Sequence, residues 1–246
     1  MSIKIENVVL PSPAQMEAVI RGMRNPMNSH HLSDSYTTHI ENPETLNTAD
    51  FQFVLGEKDE TLMRKLAKAG KDHRKFMRMM PVYLDITAPF YFWKEFDTYK
   101  VGTVANSCST MHKIADKEFT LEDFSCEHLL SFTSEGDERK IPFVDVSPYA
   151  EGDIMFSPKG VLECIIIPIL NRCRDRFLES KDKKYWWQMI QLLPSSYNQK
   201  RTIFLNYEVL ASIYHARKGH KLDEWKSLCA FIETLPYSYL ITGEEN

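Results

Sequence analysis

The segment Val82-Tyr-Leu-Asp-Ile-Thr-Ala-Pro89 decides the fold class. Val82, Leu84 and Ile86 alternate with Tyr83, Asp85 and Thr87, the period of two of a half-buried strand, and Pro89 ends it. Tyr91–Phe96 then reads as a short aromatic helix or a second strand turn. Away from this strand the apolar spacing is helical. Lys58–Ala69 puts Leu62, Leu66 and Ala69 on one face, with Gly70 as a stop. Val161–Leu178 places Leu162, Ile165, Ile166, Ile169, Cys173 and Phe177 at helical spacing, and Pro168 must kink that helix or mark its true first turn. Tyr185–Leu193, Leu205–Ala216 and Leu222–Leu235 complete the set. Helices with a minority of strands predict an α+β protein. The expected organisation is a single domain over 1–246, with a long polar loop over 24–47 and a surface insertion over 131–159. Ser195–Arg201 reads as a further loop.

Composition narrows the class. The chain has 246 residues, 43% hydrophobic and 26% charged, which is globular and excludes a disordered or collagen-like chain. Thirty basic residues against thirty-four acidic ones give −4, so bulk charge offers no support for direct nucleic-acid binding. No run of eighteen apolar residues suggests a membrane span, and the N-terminus lacks the apolar stretch of a signal peptide. Five cysteines, odd in number and without CxxC spacing, argue against a disulfide framework and for a reducing compartment, the cytoplasm. The nine glycines are scattered, so neither standard Gly-rich phosphate loop is present.

Chemistry-bearing residues fall into a few groups. Eight histidines form no HxxxH, HExxH or Cys/His finger, and no metal site is expected. No GxSxG elbow or cysteine-protease signature occurs. Ser107-Cys108-Ser109-Thr110 is a dense hydroxyl and thiol cluster able to hydrogen-bond a phosphate or a ring edge. It reads equally as a helix N-cap. In the polar loop, Arg24 stands with two asparagines in a Pro-fixed turn, either a surface turn or a functional one. Asn206 opens a helical pattern and Arg217 lies eleven positions on, about three turns, so the two share roughly one face. Arg217 is also placed to complement the helix dipole.

Three segments together resemble the flavin-dependent thymidylate synthases (ThyX). One is His73 followed by the strand and Ala88-Pro89. Another is the aromatic stretch after Pro89. The last is Leu193-Pro194, then Asn206, Arg217 and a helix ending near Leu235-Pro236, which matches the family's Leu-Pro…Asn…Arg arrangement without a gap. The middle segment departs from the family. Its Arg-His-Arg appears as Thr98-Tyr99-Lys100, its glutamine as Glu95, a serine as Thr103 and its glutamate as Asn106. The later serine falls near Ser107, Cys108 or Ser109, and the final arginine near Thr110. The arginine expected two residues after Asn206 is Glu208.

The resemblance implies a ThyX-like fold with a mixed sheet flanked by helices, and a homotetramer with active sites at subunit interfaces. It implies FAD as cofactor, with NADPH and methylenetetrahydrofolate as co-substrates. A one-carbon unit passes to C5 of a pyrimidine nucleotide, dUMP first and dCMP as a variant. It implies Arg217 as the catalytic cation that polarises the base. The nucleotide would be held by Glu95, Lys100, Asn106, Ser107, Ser109 and Thr110, with Arg24 and Arg201 as loop donors. The flavin would be held by His73, Thr98, Tyr99 and Asn206. The competing expectation is a nucleotide-binding protein that kept the fold and lost flavin chemistry.

Overall fold

A computed structural model describes residues 3–40, 50–132, 144–145 and 155–243. Along the chain run β1 (Lys4–Val9), α1 (Pro13–Arg24), β2 (Tyr36–Ile40), β3 (Asp50–Val54), α2 (Glu57–Lys68), β4 (Pro81–Pro89) and α3 (Phe90–Phe96). There follow β5 (Val104–Ser107), α4 (Thr110–Lys113), β6 (Val144–Asp145), β7 (Met155–Phe156), α5 (Pro158–Val161), α6 (Ile167–Ser180) and α7 (Lys183–Leu192). The chain closes with β8 (Asn198–Asn206), α8 (Tyr207–Arg217), α9 (Asp223–Glu233) and α10 (Tyr239–Thr242). A four-stranded sheet has the order β1-β4-β8-β5, and β2-β3 and β6-β7 form two-stranded ribbons.

The chain divides into two compact units, where the sequence reading has one domain. One holds residues 3–86, 96–106 and 201–246, the other 1–2, 87–95 and 107–200. In the first unit, β4 behaves as its alternation predicts. Val82, Leu84 and Ile86 are almost fully buried, whereas Tyr83 is 45% exposed. Strand β8 repeats the pattern with Ile203 and Leu205 inward. Helix α8 is buried on nearly every side, through Tyr207, Val209, Leu210, Ala211, Ile213 and Tyr214, so it is a central helix rather than a surface one. Helix α9 supplies Trp225, Leu228 and Ile232 to the same core.

The second unit is built on the α6–α7 pair. Leu170 and Met189 meet Ile114, Phe119, Phe124 and Leu162, with Trp186, Ile190 and Tyr197 around them. A π-helical turn over Leu162–Ile166 precedes α6, and Pro168 sits in the first turn of α6. Proline has no N–H and its ring crowds the carbonyl four residues back, so the helix widens ahead of it.

Three sequence expectations change. The segment 24–47 is not one loop: it holds two 3-10 turns, Asn25–Met27 and His30–Leu32, and then β2, which pairs antiparallel with β3 from Tyr36↔Val54 to Ile40↔Asp50. Residues 41–49 lie outside the described residues. The segment 195–201 is not all loop, because β8 begins at Asn198. The insertion at 131–159 lies mostly outside the described residues, which show there the β6-β7 ribbon and the start of α5.

Four polar residues of the segment 24–35, Arg24, Ser33, Asp34 and Ser35, bind the start of α2. Asp59, fully buried, is paired with the buried Arg24. It also accepts from Ser33 Oγ and Ser35 Oγ at 2.7 Å, from Ser35 N at 3.0 Å and from Asp34 N at 3.1 Å. Asp34 in turn accepts from Lys58 N at 3.0 Å and Asp59 N at 3.1 Å, so it caps α2 from across the chain. Gly56 at that N-cap is required by the approach: a Cβ there would lie 2.2 Å from Asp34 Oδ1 and 2.5 Å from its backbone carbon. Arg24 is therefore a structural cation.

Burial would raise the Asp59 pKa, but donors from Ser35, Ser33 and Arg24 outweigh it and hold the carboxyl below its ordinary value. A lowered folded-state pKa stabilises the fold above the unfolded value of about 3.9 and loses that contribution as pH falls through the folded value. Asp59→Ala, which strands a buried guanidinium, is expected to cost about 3–5 kcal/mol in urea unfolding at neutral pH. The variant should also lose part of the stability change measured below pH 4. An unfolding midpoint within error of wild type would contradict this assignment.

Candidate functional site

A cavity of about 440 Å³ opens in the first unit. Three stretches converge on it. The turn Thr98–Gly102 leaves the end of α3 with Tyr99 N bonded to Phe96 O at 3.0 Å. The segment after α2 contributes Lys71 and Arg78, and the first two turns of α8 contribute Asn206, Glu208, Val209 and Ser212. Tyr99 and Lys100 complete the polar lining.

Each piece is fixed by a local cause. Asn206 is the N-cap of α8: its side-chain oxygen accepts from Val209 N at 3.0 Å, and it is 7% exposed. The backbone is tied next door, where Tyr207 N donates to Met80 O at 3.2 Å. Gly102 has φ +79, and a Cβ there would stand 3.0 Å from Val209 Cγ2 and 3.2 Å from Asn206 Nδ2. Glycine thus lets the turn lie directly on the start of α8.

Charge is distributed unevenly. Lys71, Arg78 and Lys100 surround the space, and the N-terminus of α8 adds partial positive charge. Glu208 is the opposing carboxylate, and Arg74 answers it. Arg74 Nη2 donates to Glu208 Oε1 at 3.2 Å, and Arg74 Nε lies 2.8 Å from Glu208 Oε2. That second contact is ionic only, because the Nε–H is not aimed at the oxygen. The cavity therefore favours an anion, and Tyr99, whose ring packs against Phe96 and Trp225, forms part of its wall.

Arg217 stands behind Tyr99 and is not part of the lining. Its Nε donates to Tyr99 Oη at 3.0 Å, and its guanidinium carbon lies 4.6 Å from the Trp225 ring centroid. Phe96 stacks on the far aromatic system, 6.2 Å from Trp225 at 15°. The cation is thus pinned by a hydrogen bond and a ring face.

The sequence-expected residues separate into those the cavity gathers and those it does not. Thr98, Tyr99, Lys100 and Asn206 line it, and Arg217 supports it through Tyr99. His73 is exposed in the turn after Gly70 and is not in the lining. Arg201 is paired with Asp97 at 2.7 Å, Arg24 is locked to Asp59, and Asn106 is exposed on β5. Glu95, Ser107, Ser109 and Thr110 belong to the other unit. There Ser109 caps α4 by accepting from His112 N at 3.2 Å, and Thr110 Oγ1 accepts from Gln199 Nε2 at 3.2 Å. Within the hydroxyl cluster, Ser109 is the helix cap that the sequence also allowed. Missed by sequence were Lys71, Arg78 and Ser212. The dense run Lys71, Arg74, Lys75, Arg78 was the available signal, and a run of like charge usually marks a solvated face.

Among the described residues no group of three or more His, Cys, Asp or Glu converges as for a metal ion. Among the described residues no helix is long and apolar enough to cross a membrane.

No family model matches the sequence, and no curated protein matches it in sequence. Solved structures do match in fold. A flavin-dependent thymidylate synthase ThyX from Helicobacter pylori, complexed with FAD and dUMP, superposes with TM-score 0.59 and 16% identity over 99% of both chains. A second structure of the H. pylori protein, also with FAD and dUMP, gives 0.58 and 15% over 99% and 98%. A UMP/dUMP methylase, PolB from Streptomyces cacaoi, bound with 5-Br dUMP, gives 0.55 and 13% over 94% of this chain and 88% of that one. The chain has the ThyX fold, in the expected α+β class.

Gly102→Ala should push the 98–102 turn off α8. We expect a loss of about 1 kcal/mol or more in thermal or urea unfolding, since an L-residue is strained at positive φ. Unchanged stability would show that the close approach to Asn206 and Val209 is not a constraint.

Proposed function

We propose that this protein is a flavin-dependent nucleotide methyltransferase of the ThyX type. The reaction transfers a one-carbon unit from methylenetetrahydrofolate to C5 of a pyrimidine deoxynucleotide monophosphate, with dUMP as the first candidate. The observation that carries the reading is the cavity itself: three cations, a helix N-terminus and an aromatic ring around one space, on a chain that shares its fold end to end with proteins solved with FAD and dUMP.

The residues present fit a phosphorylated flavin. The volume lies within the usual range of ligand pockets, roughly 300–1,000 Å³. Lys71, Arg78 and Lys100 would hold phosphates, the Tyr99 ring would stack on a flat ring, and Asn206 has its amide nitrogen left for a polar edge, since its oxygen is the cap. When bound and reduced by NADPH, the flavin supplies the hydride that turns the transferred methylene into a methyl. The protein's share is orientation and charge.

In this reading Arg217 is the fixed cation. Its Nε–H occupies the Tyr99 oxygen, so the Tyr99 hydroxyl proton points its donor capacity elsewhere, and the adjacent positive charge makes that hydroxyl a stronger donor to a ring carbonyl. Lys100 remains a nucleotide or flavin contact, and Thr98 and Asn206 flavin contacts. A homotetramer with the cavity completed by a neighbouring subunit belongs to the same proposal.

A nucleotide-binding protein without flavin chemistry is the second reading. It is favoured by Thr98-Tyr99-Lys100 standing in place of Arg-His-Arg, and by Arg217 stacking on Trp225 rather than entering the cavity. The experiment is direct. Purified protein is examined for flavin absorbance, reconstituted with FAD, and incubated with NADPH, methylenetetrahydrofolate and dUMP or dCMP, reading product mass. Protein that takes up no FAD would sink the first reading.

Three variants sharpen it. Arg78→Ala and Lys100→Ala should each weaken nucleotide or flavin binding about tenfold, the loss of one charge-assisted contact. Arg217→Ala should abolish turnover while far-UV circular dichroism stays native. Full activity in that variant would refute its role.

A further inference from the structure

A second, smaller cavity lies in the same unit, and no part of the proposed reaction uses it. It measures about 170 Å³ and is walled by α2, the start of the segment after it, α8 and α10. Four basic side chains converge there: Arg64 and Lys68 from α2, Arg74, and His215 from α8. The ring of Tyr239 forms one wall, and among the described residues no carboxylate is in the lining.

The arginines are set in place rather than loose. Arg64 lies flat on Tyr239, its guanidinium carbon 3.5 Å from the ring centroid. Glu60 accepts its Nε at 3.0 Å and its Nη2 at 2.7 Å, from outside the cavity lining. Arg74 is held likewise by Glu208. One carboxylate thus orients each arginine and uses only part of its five-donor fork. What remains is a small space walled by two arginines whose planar, partly used forks suit tetrahedral oxyanions, with Lys68 and His215 beside them.

We propose that this cavity is a binding site for a small phosphate-class polyanion, such as orthophosphate or pyrophosphate, separate from the larger cavity. The two spaces share one wall. Arg74 lines the small cavity, and its partner Glu208 lines the large one. Arg74 is therefore a poor test position, because removing it would strand the buried Glu208 carboxylate. Lys68 and His215 are exposed and serve better.

The test is isothermal titration of the full chain with sodium pyrophosphate, and separately with orthophosphate, at constant ionic strength. One site that survives in Arg78→Ala/Lys100→Ala is expected, and any additional phosphate bound by the larger cavity is lost in that variant. Lys68→Glu/His215→Asn should weaken binding by about tenfold or more, whereas Arg78→Ala/Lys100→Ala in the large cavity should leave it within about twofold. Lys68→Gln, a milder change with an unaltered melting midpoint, should show a partial loss and guards against misfolding of the double variant. Equal affinity in wild type and Lys68→Glu/His215→Asn would overturn the site, and so would loss in Arg78→Ala/Lys100→Ala instead. The sequence continues from Gly243 as Glu244-Glu245. Binding seen only in Glu244→Gln/Glu245→Gln would show that the basic walls serve those carboxylates, and the proposal would fall. None of these outcomes depends on flavin uptake, so this inference and the proposed reaction fail separately.

Discussion

Asn206 ends β8 and begins α8, and its side-chain oxygen closes the helix by accepting the Val209 N–H at 3.0 Å. Much of the first unit hangs on that junction. The strand before it sends Ile203 and Leu205 into the core, and the helix after it is buried almost all round. A helix so enclosed cannot shift without disturbing its neighbours, because protein interiors are packed too closely to yield. Its N-terminus is thus a rigid wall for the larger cavity, and its last residue, Arg217, is delivered to Tyr99 from a fixed direction. Capping by asparagine leaves the amide nitrogen on the cavity side of the Gly102 turn, which glycine alone permits to come so near.

Buried carboxylate–arginine pairs do the remaining positioning. Asp59 with Arg24 and Glu208 with Arg74 are alike in design: an acid near the first turn of a helix, matched by an arginine from a preceding stretch of chain. An acid there also suits the helix dipole. The two differ in finish. Asp59 collects donors from Ser33, Asp34 and Ser35 besides the arginine, whereas Glu208 has Arg74 alone and keeps one oxygen without a directed hydrogen bond. The first pair is a sealed structural joint. The second faces cavities on both sides, and its electrostatic balance is open to whatever enters either one.

The sequence carried its information unevenly, for reasons that lie in particular residues. β4, α7 and α9 have one buried face, so their periods stand out, whereas α2 buries Asp59 and Met63 rather than the expected Leu62, Leu66 and Ala69, the last of which is exposed. β8 does not stand out, because residues 198–202 are polar and only Ile203 and Leu205 alternate before the helix starts, so Leu205 reads as the helix's own beginning. β5 is exposed along its whole length and has no pattern to find. β1 is interrupted by Asn7 at φ +53, which breaks its alternation in conformation as well as in composition. Arg24 stands in a Ser, Asn and His-rich stretch that has the look of a ligand loop, yet with Ser33, Asp34 and Ser35 it closes the start of α2. Lys71 and Arg78 were passed over because only the return of the chain after α2 turns a basic run into a cavity wall.

The aromatic setting of Arg217 bears on how a chain with Thr98-Tyr99-Lys100 could still polarise a pyrimidine. A guanidinium in bulk water is screened and mobile. Here it rests against Trp225, itself fully buried and stacked with Phe96, and its Nε–H is committed to Tyr99. Low-dielectric walls lengthen the reach of a charge, and a hydroxyl that accepts from a cation becomes a better donor in its turn. Tyr99 is the group of this pair that meets the cavity. In the proposed reaction, a positive charge one residue removed from the ligand would act through Tyr99 rather than by direct contact. The same arrangement ties the Tyr99 wall of the cavity to the α9 core, since the surface that holds Arg217 is the indole of a core tryptophan.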